Sequence, residues 1–222
     1  MTGRRRAAPA TRAAPAVIVV HGLWMTGIEC GLLRRRLADV GFAPRQFHYH
    51  SVSEPAPAVL ERLAATVDLC AREGDVHLVG HSLGGLLTLR LLREMPELPV
   101  RRVVLLGSPV RGSRAARALL EIPGAQWLLG DLAEDELVRN VEREWNGKAA
   151  VGVLAGTSAI GLGRLFGHFK GPNDGTVAVA ETELSGAADR CVLPVSHFGM
   201  LMSEEVAAEV THFLQLGRFR PA

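Results

Sequence analysis

The chain has 222 residues, with 25 Lys and Arg against 23 Asp and Glu. That length suits one domain with a full core, and the composition is ordinary for a soluble globular protein. Four arginines and no acid fall in the first fifteen residues, so the rest of the chain is mildly acidic, which argues against a nucleic-acid surface.

The opening "MTGRRRAAPATRAAP" is rich in Ala, Pro and Arg and reads as a disordered basic arm over residues 1–15. A single domain is expected over 16–222. The apolar run "AVIVV" flows straight into "HGLW", so it reads as a first strand rather than a secretory signal. No stretch reaches the roughly 20 apolar residues of a membrane span. Next comes a helix with Leu33, Leu37 and Val40 at i, i+4, i+7, stopped by Gly41. "RQFHYH" is the following strand, and it would carry His48 and His50 on one face. "APAVLERLAATVDLCAREG" is a helix with Leu60, Leu63, Val67 and Cys70 on its buried side.

"VHLV" then leads through "GHSLGG" into the helix "LGGLLTLRLLREM", which ends at Pro96. "RRVVLLGSP", "VGVLAG" and "RCVLPV" supply further strands. The last helix, "SEEVAAEVTHFLQLG", has Ser203 as its cap and Val206, Val210, Phe213 and Leu214 as its stripe. About six strands alternating with helices imply an α/β fold, with a mostly parallel sheet covered on both faces. The alternation breaks once, between "GSP" and "VGVLAG". There some forty residues, within 110–150, form either a small cap over a pocket or a long crossover, with Val138, Val141 and Trp145 as one helical face. The three cysteines are scattered and odd in number, with no disulfide framework and no zinc spacing; a reducing, cytoplasmic setting is expected.

"GHSLGG" can carry a nucleophile. A hydroxyl needs a neighbouring base, and a serine on a sharp strand-to-helix turn needs very small neighbours two before and two after it. Gly80 and Gly84 flank Ser82 in that way, and Gly85 leaves packing room for the helix. The alternative is a plain turn serine. "GLGRLFG" has one residue too many between its glycines for a dinucleotide site, and "GHSLGGLLT" lacks the lysine of a phosphate loop. No metal or cofactor is implied. His48 and His50 are more economically read as a strand pair than as metal ligands.

"GHSLGG" with "HGLW" upstream resembles the α/β-hydrolase fold superfamily in its lipase and esterase branch, over residues 17 to about 215. The resemblance implies a three-layer fold and a serine nucleophile at Ser82. It implies an oxyanion hole from the backbone N–H groups of Leu23 and Leu83, with Trp24 as the alternative to Leu23. It places the base after the last strand, at His197 of "SHFGM". The acid is Asp174 of "NDGTV", with Glu181 and Glu183 as weaker alternatives and an Asx turn as the structural reading. His21 would fix a loop and His81 would shape the elbow. Ser108 of "GSP" reads as structural.

Trp24, Met25, Phe198 and Met200 are candidate substrate contacts, and Ile160, Leu162, Leu165, Phe166 and Phe169 add an oily loop. The expected activity is hydrolysis of a small-molecule or lipid acyl ester through an acyl-enzyme. Acyl transfer or thioester cleavage by the same triad is the alternative, and a non-catalytic binding protein on this fold is a third reading.

Overall fold

Apolar runs with no polar alternation build the sheet. Val17 to Val20 are fully buried, as are Leu78, Val79 and Val103 to Leu106. Strands hidden on both faces belong to parallel sheets clothed by helices. The computed structural model describes residues 13–139, 144–160 and 171–221. Six strands, β1 (Ala16–Val20), β2 (Ala43–Phe47), β3 (Val76–His81), β4 (Val100–Leu106), β5 (Ala150–Gly156) and β6 (Asp189–Leu193), run parallel in the order β2-β1-β3-β4-β5-β6. β2 and β6 are its edges, and β2 carries Pro44 opposite Val17.

The helices are α1 (Gly31–Asp39), α2 (Ala56–Ala71), α3 (Leu83–Glu94), α4 (Arg114–Leu120), α5 (Gln126–Glu134) and α6 (Glu204–Leu216). Alternate residues of each strand feed two cores. Val17, Val19, Val79 and Val104 meet Leu33 and Leu37 of α1 and Val206, Val210 and Phe213 of α6. Ile18, Val20, Leu78 and Val103 meet Leu60 and Leu63 of α2 and Leu86 and Leu87 of α3. Burying one such side chain contributes about 1.5–3 kcal/mol. Ser203 caps α6 by accepting the Val206 N–H at 3.2 Å, and Gly217 closes it at φ 77°.

Three expectations change. Val40 lies beyond α1 and is 49% exposed, because Gly41 at φ 94° turns the chain toward β2. β2 begins at Ala43 and ends at Phe47, so His48 and His50 sit in the following loop; His48 bonds the Thr26 carbonyl and His50 pairs with Glu54. Trp145 is not on a helical face. It is buried beside an isolated bridge from Glu144 to Ser185, and its indole N–H donates to Ala149. Val141 lies outside the described residues.

The β4–β5 connection holds α4, α5 and a π-helical turn at Asp135–Arg139. α5 is kinked at Gly130, with φ 71° and the Val52 carbonyl against its Cα, where a side chain has no room. The π turn is anchored to α3. Glu136, 1% exposed, pairs with Arg90 at 2.9 Å.

Candidate active site

The site stands at the carboxyl ends of β1, β3, β4 and β5, where open parallel sheets bind ligands. Ser82 follows β3 directly and has φ 54° and ψ −121°, a strained conformation for a residue with a side chain. Such strain costs of order 1–3 kcal/mol and persists only where the surroundings impose it. The imposition is visible. The Ser82 N–H donates to Leu106 at 2.8 Å. A Cβ on Gly84 would strike the carbonyls of Val20 and His21, and one on Gly80 would strike Gly85. A Cβ on Gly85 would strike Ser108, which is fully buried under the elbow, consistent with a structural role.

Asp174 lies in the "NDGTV" turn and is 1% exposed. Its Oδ1 accepts the N–H groups of Thr176 and Val177, at 2.9 and 2.7 Å. Its Oδ2 accepts from His197 Nδ1 at 2.7 Å. The Asx turn and the imidazole partner are therefore both present, one on each oxygen. A backbone bond from the His197 N–H to the Asp174 carbonyl, 2.9 Å, fastens the two loops together. With Nδ1 engaged, Nε2 is the nitrogen that remains for another partner. Glu181 and Glu183 do not approach the imidazole by any hydrogen bond among the described residues. Glu183 pairs instead with Arg111 and Arg190.

Two other histidines flank the site without sharing that geometry. His81 donates through Nε2 to the His197 carbonyl at 3.0 Å, and its ring lies 4.6 Å from that of His197. Complete burial, and then the neighbouring His197, push its pKa down to about 3, so it stays neutral. His21 is buried, stacks on Tyr49 at 4.3 Å and bonds the Gly22 carbonyl through Nδ1. Burial lowers its pKa as well. The Tyr49 hydroxyl donates to the His21 carbonyl, so His21 braces the loop after β1.

That loop carries the candidate oxyanion donors. The Trp24 N–H is already engaged with Ser51 Oγ at 3.0 Å, whereas the Leu23 N–H has no acceptor among the described residues. Leu83 is the first residue of α3, so its amide is free of intrahelical bonding. Of the two candidate amides in this loop, that of Leu23 is the one without an acceptor among the described residues. Trp24 itself has φ 58°, an outlier for so bulky a residue.

Ser82 and His197 border one cavity of about 370 Å³. Its walls come from Leu23, Trp24 and Met25, from Thr176 and Val177, from Ile160 and Phe198, and from Ser113, Ala115, Ala116, Leu119, Leu129 and Leu137 of the β4–β5 connection. Among the described residues, no ionisable side chain other than the two histidines lines it. Met200 does not reach it. The short helical turn at Gly199–Leu201 swings this side chain into the core below, where it is fully buried. Leu162, Leu165, Phe166 and Phe169 lie outside the described residues.

With this geometry in view, the comparison with known proteins is direct. The profile of the alpha/beta hydrolase family matches residues 17–209. The chain belongs to the alpha/beta hydrolase family. Solved structures agree in fold with this hydrolase. A lipase of Bacillus licheniformis, BlEst2, superposes with a TM-score of 0.67 at 21% identity, covering 93% of each chain. The metagenomic carboxyl esterase MGS0156 gives 0.62 at 17% identity, over 88% of this chain and 68% of its own. RedJ, a thioesterase of the prodiginine pathway of Streptomyces coelicolor, gives 0.56 at 15% identity, over 95% and 90%. Among curated proteins, none matches the chain in sequence.

Two further glycines shape this end of the sheet. Gly107, at φ 56°, lets the end of β4 lie against the acid–imidazole pair; a Cβ there would come within 3.0 Å of His197 Nδ1 and 3.1 Å of Asp174 Oδ2. Gly156 makes room for Asp174 and Met200 in the same way. The "GSP" segment signalled the first of these. Nothing local signals the second.

Proposed function

We propose that this protein is a serine hydrolase of carboxylic esters, with Ser82 as nucleophile, His197 as general base and acid, and Asp174 as its partner. The observation that carries the reading is the buried Asp174 carboxylate bonded to His197 Nδ1, with that imidazole and a strained Ser82 bordering one largely apolar cavity. His197 Nε2 takes the Ser82 proton as Oγ bonds the ester carbonyl carbon. The carbonyl oxygen becomes an oxyanion, held by the Leu23 and Leu83 N–H groups. The imidazolium is stabilised by Asp174, and it protonates the departing alcohol as the C–O bond breaks. Water then adds to the acyl-enzyme, giving its proton to His197. Collapse returns that proton to Ser82 and frees the carboxylic acid. A cavity whose described walls are apolar apart from His81, His197 and a few hydroxyls supports an uncharged, apolar acyl group.

The test is release of p-nitrophenol from acyl esters by the purified full chain, together with fluorophosphonate labelling. Ser82→Ala should abolish labelling and lower kcat by about 10⁴-fold or more. Hydrolysis that survives this change removes Ser82 from the mechanism. Faster turnover of an acyl thioester, or transfer to an added alcohol, would move the assignment to that chemistry on the same triad.

A further inference from the structure

The β4–β5 connection is tied by two side chains to the parts of the site that must be aligned for catalysis. The first is Trp24. Its backbone follows the Leu23 amide, and its indole N–H donates to the Leu128 carbonyl of α5 at 2.8 Å, across 104 residues of sequence. Its amide is fixed on the buried Ser51, and its φ of 58° is held between these two attachments. The second is Glu181. This buried carboxylate accepts the N–H of Arg114, the first residue of α4, through Oε1 at 2.8 Å. Through Oε2 it accepts the N–H of Ala178, just beyond the Asp174 turn, also at 2.8 Å. Its own backbone carbonyl accepts from the Arg111 N–H at 2.9 Å. α4 and α5 supply Ala115, Ala116, Leu119 and Leu129 to the cavity wall.

From this we infer that Trp24 and Glu181 are positioning residues, which couple acyl-chain contact with the β4–β5 connection to the alignment of the oxyanion donor and of the acid turn. The inference rests on the ester-hydrolase reading above. An acyl chain pressed against α4 and α5 favours the one arrangement of these helices in which both tethers are made. Binding energy from the remote end of the chain is then expressed at the reacting carbon, in kcat as well as in KM. Burial raises the pKa of Glu181, against its two backbone N–H donors and the nearby Arg114, and the Asp174 charge raises it further. The tether at the acid turn therefore has a carboxylate that loses its second acceptor oxygen more readily than an exposed glutamate.

The experiment compares p-nitrophenyl acetate, butyrate and octanoate on the full chain. Wild-type kcat should rise with acyl length. Trp24→Phe keeps the ring and removes the indole N–H; Glu181→Gln keeps the size and removes one acceptor. Each should lower kcat on octanoate by about tenfold, leave acetate within about twofold and keep the fall of KM with length. Glu181→Asp should recover part of the loss. Trp127→Phe on α5, where Trp127 is 71% exposed, and Glu183→Gln should match wild type. A purely structural role would lower the melting temperature and turnover of all three esters alike.

A kcat that ignores acyl length in wild type, or that rises equally in both variants, overturns the coupling. Should Glu181→Gln fail to fold, Trp24→Phe decides alone, since that side chain is 52% exposed. Hydrolysis persisting in Ser82→Ala overturns the proposed function itself. Ser82-dependent hydrolysis with unaltered kcat profiles overturns only the coupling.

Discussion

The elbow beneath Ser82 and the β4–β5 connection above it border the same cavity but are built on opposite terms. Beneath, backbone meets backbone, and Gly80, Gly84 and Gly85 leave no space for a methyl group. Above, two short helices, a kink at Gly130 and a π turn lay Leu119, Leu129, Leu132 and Leu137 on the core and add a few hydrogen bonds and the Arg90–Glu136 pair. The difference teaches where each property resides. The elbow fixes the backbone at Ser82 and tolerates nothing. The connection supplies side-chain surface and tolerates exchange.

The largest effect should come from the elbow. Gly84→Ala sets a Cβ against two backbone carbonyls that cannot turn aside. It should destabilise by about 3 kcal/mol and remove activity together, read by denaturant unfolding and ester turnover. A folded, active Gly84→Ala protein would break the contrast. On the other side of the cavity, Ala115→Leu on α4 should leave stability within about 1 kcal/mol. It should cut kcat/KM for octanoate by about tenfold while sparing acetate, because each methylene excluded from the wall forfeits about 0.8 kcal/mol. Equal losses on both esters would place the acyl group elsewhere.

The last comparison leaves turnover untouched and separates the sheet from the site. His77 on β3 is 2% exposed, and burial followed by the Arg102 charge lowers its pKa to about 4. Between that value and the ordinary 6.5 the unfolded chain takes up a proton that the folded one refuses. Stability therefore falls as pH drops through this window, by up to about 1.4 kcal/mol per pH unit for each such histidine. His77→Leu should flatten the slope between pH 6.5 and 4 relative to wild type, leaving the part due to His81 and His21. An unchanged slope would show that His77 charges without cost in the folded protein.

The sheet and the elbow were legible in the sequence because each follows from local rules. Unbroken apolar runs make buried strands, and small residues must flank a serine on a sharp turn. The order of "HGLW", "GHSLGG", "NDGTV" and "SHFGM" brought four motifs to one end of the sheet. What escaped depends on contacts between distant segments. Met200 stands three residues after His197, yet a single short helical turn sends it into the core. Glu181 looked like a spare acid, and its two backbone donors come from segments 67 and three residues away. No pattern in one segment announces such a meeting. The positive φ of Trp24 is equally silent in sequence, since it is imposed by Ser51 and Leu128.

The ends of the sheet carry a further consequence. Among the described residues no strand pairs with the outer flank of β2, and such a flank is a template on which another chain's strand can grow. Its sequence is "APRQF", in which Pro44 has no N–H to offer and Arg45 is bound to Glu73 at 2.8 Å. At the opposite border, β6 opens with Asp189 and Arg190, both engaged in polar bonds. Proline and engaged charges at the sheet's margins disfavour strand-by-strand addition, through residues far from the cavity.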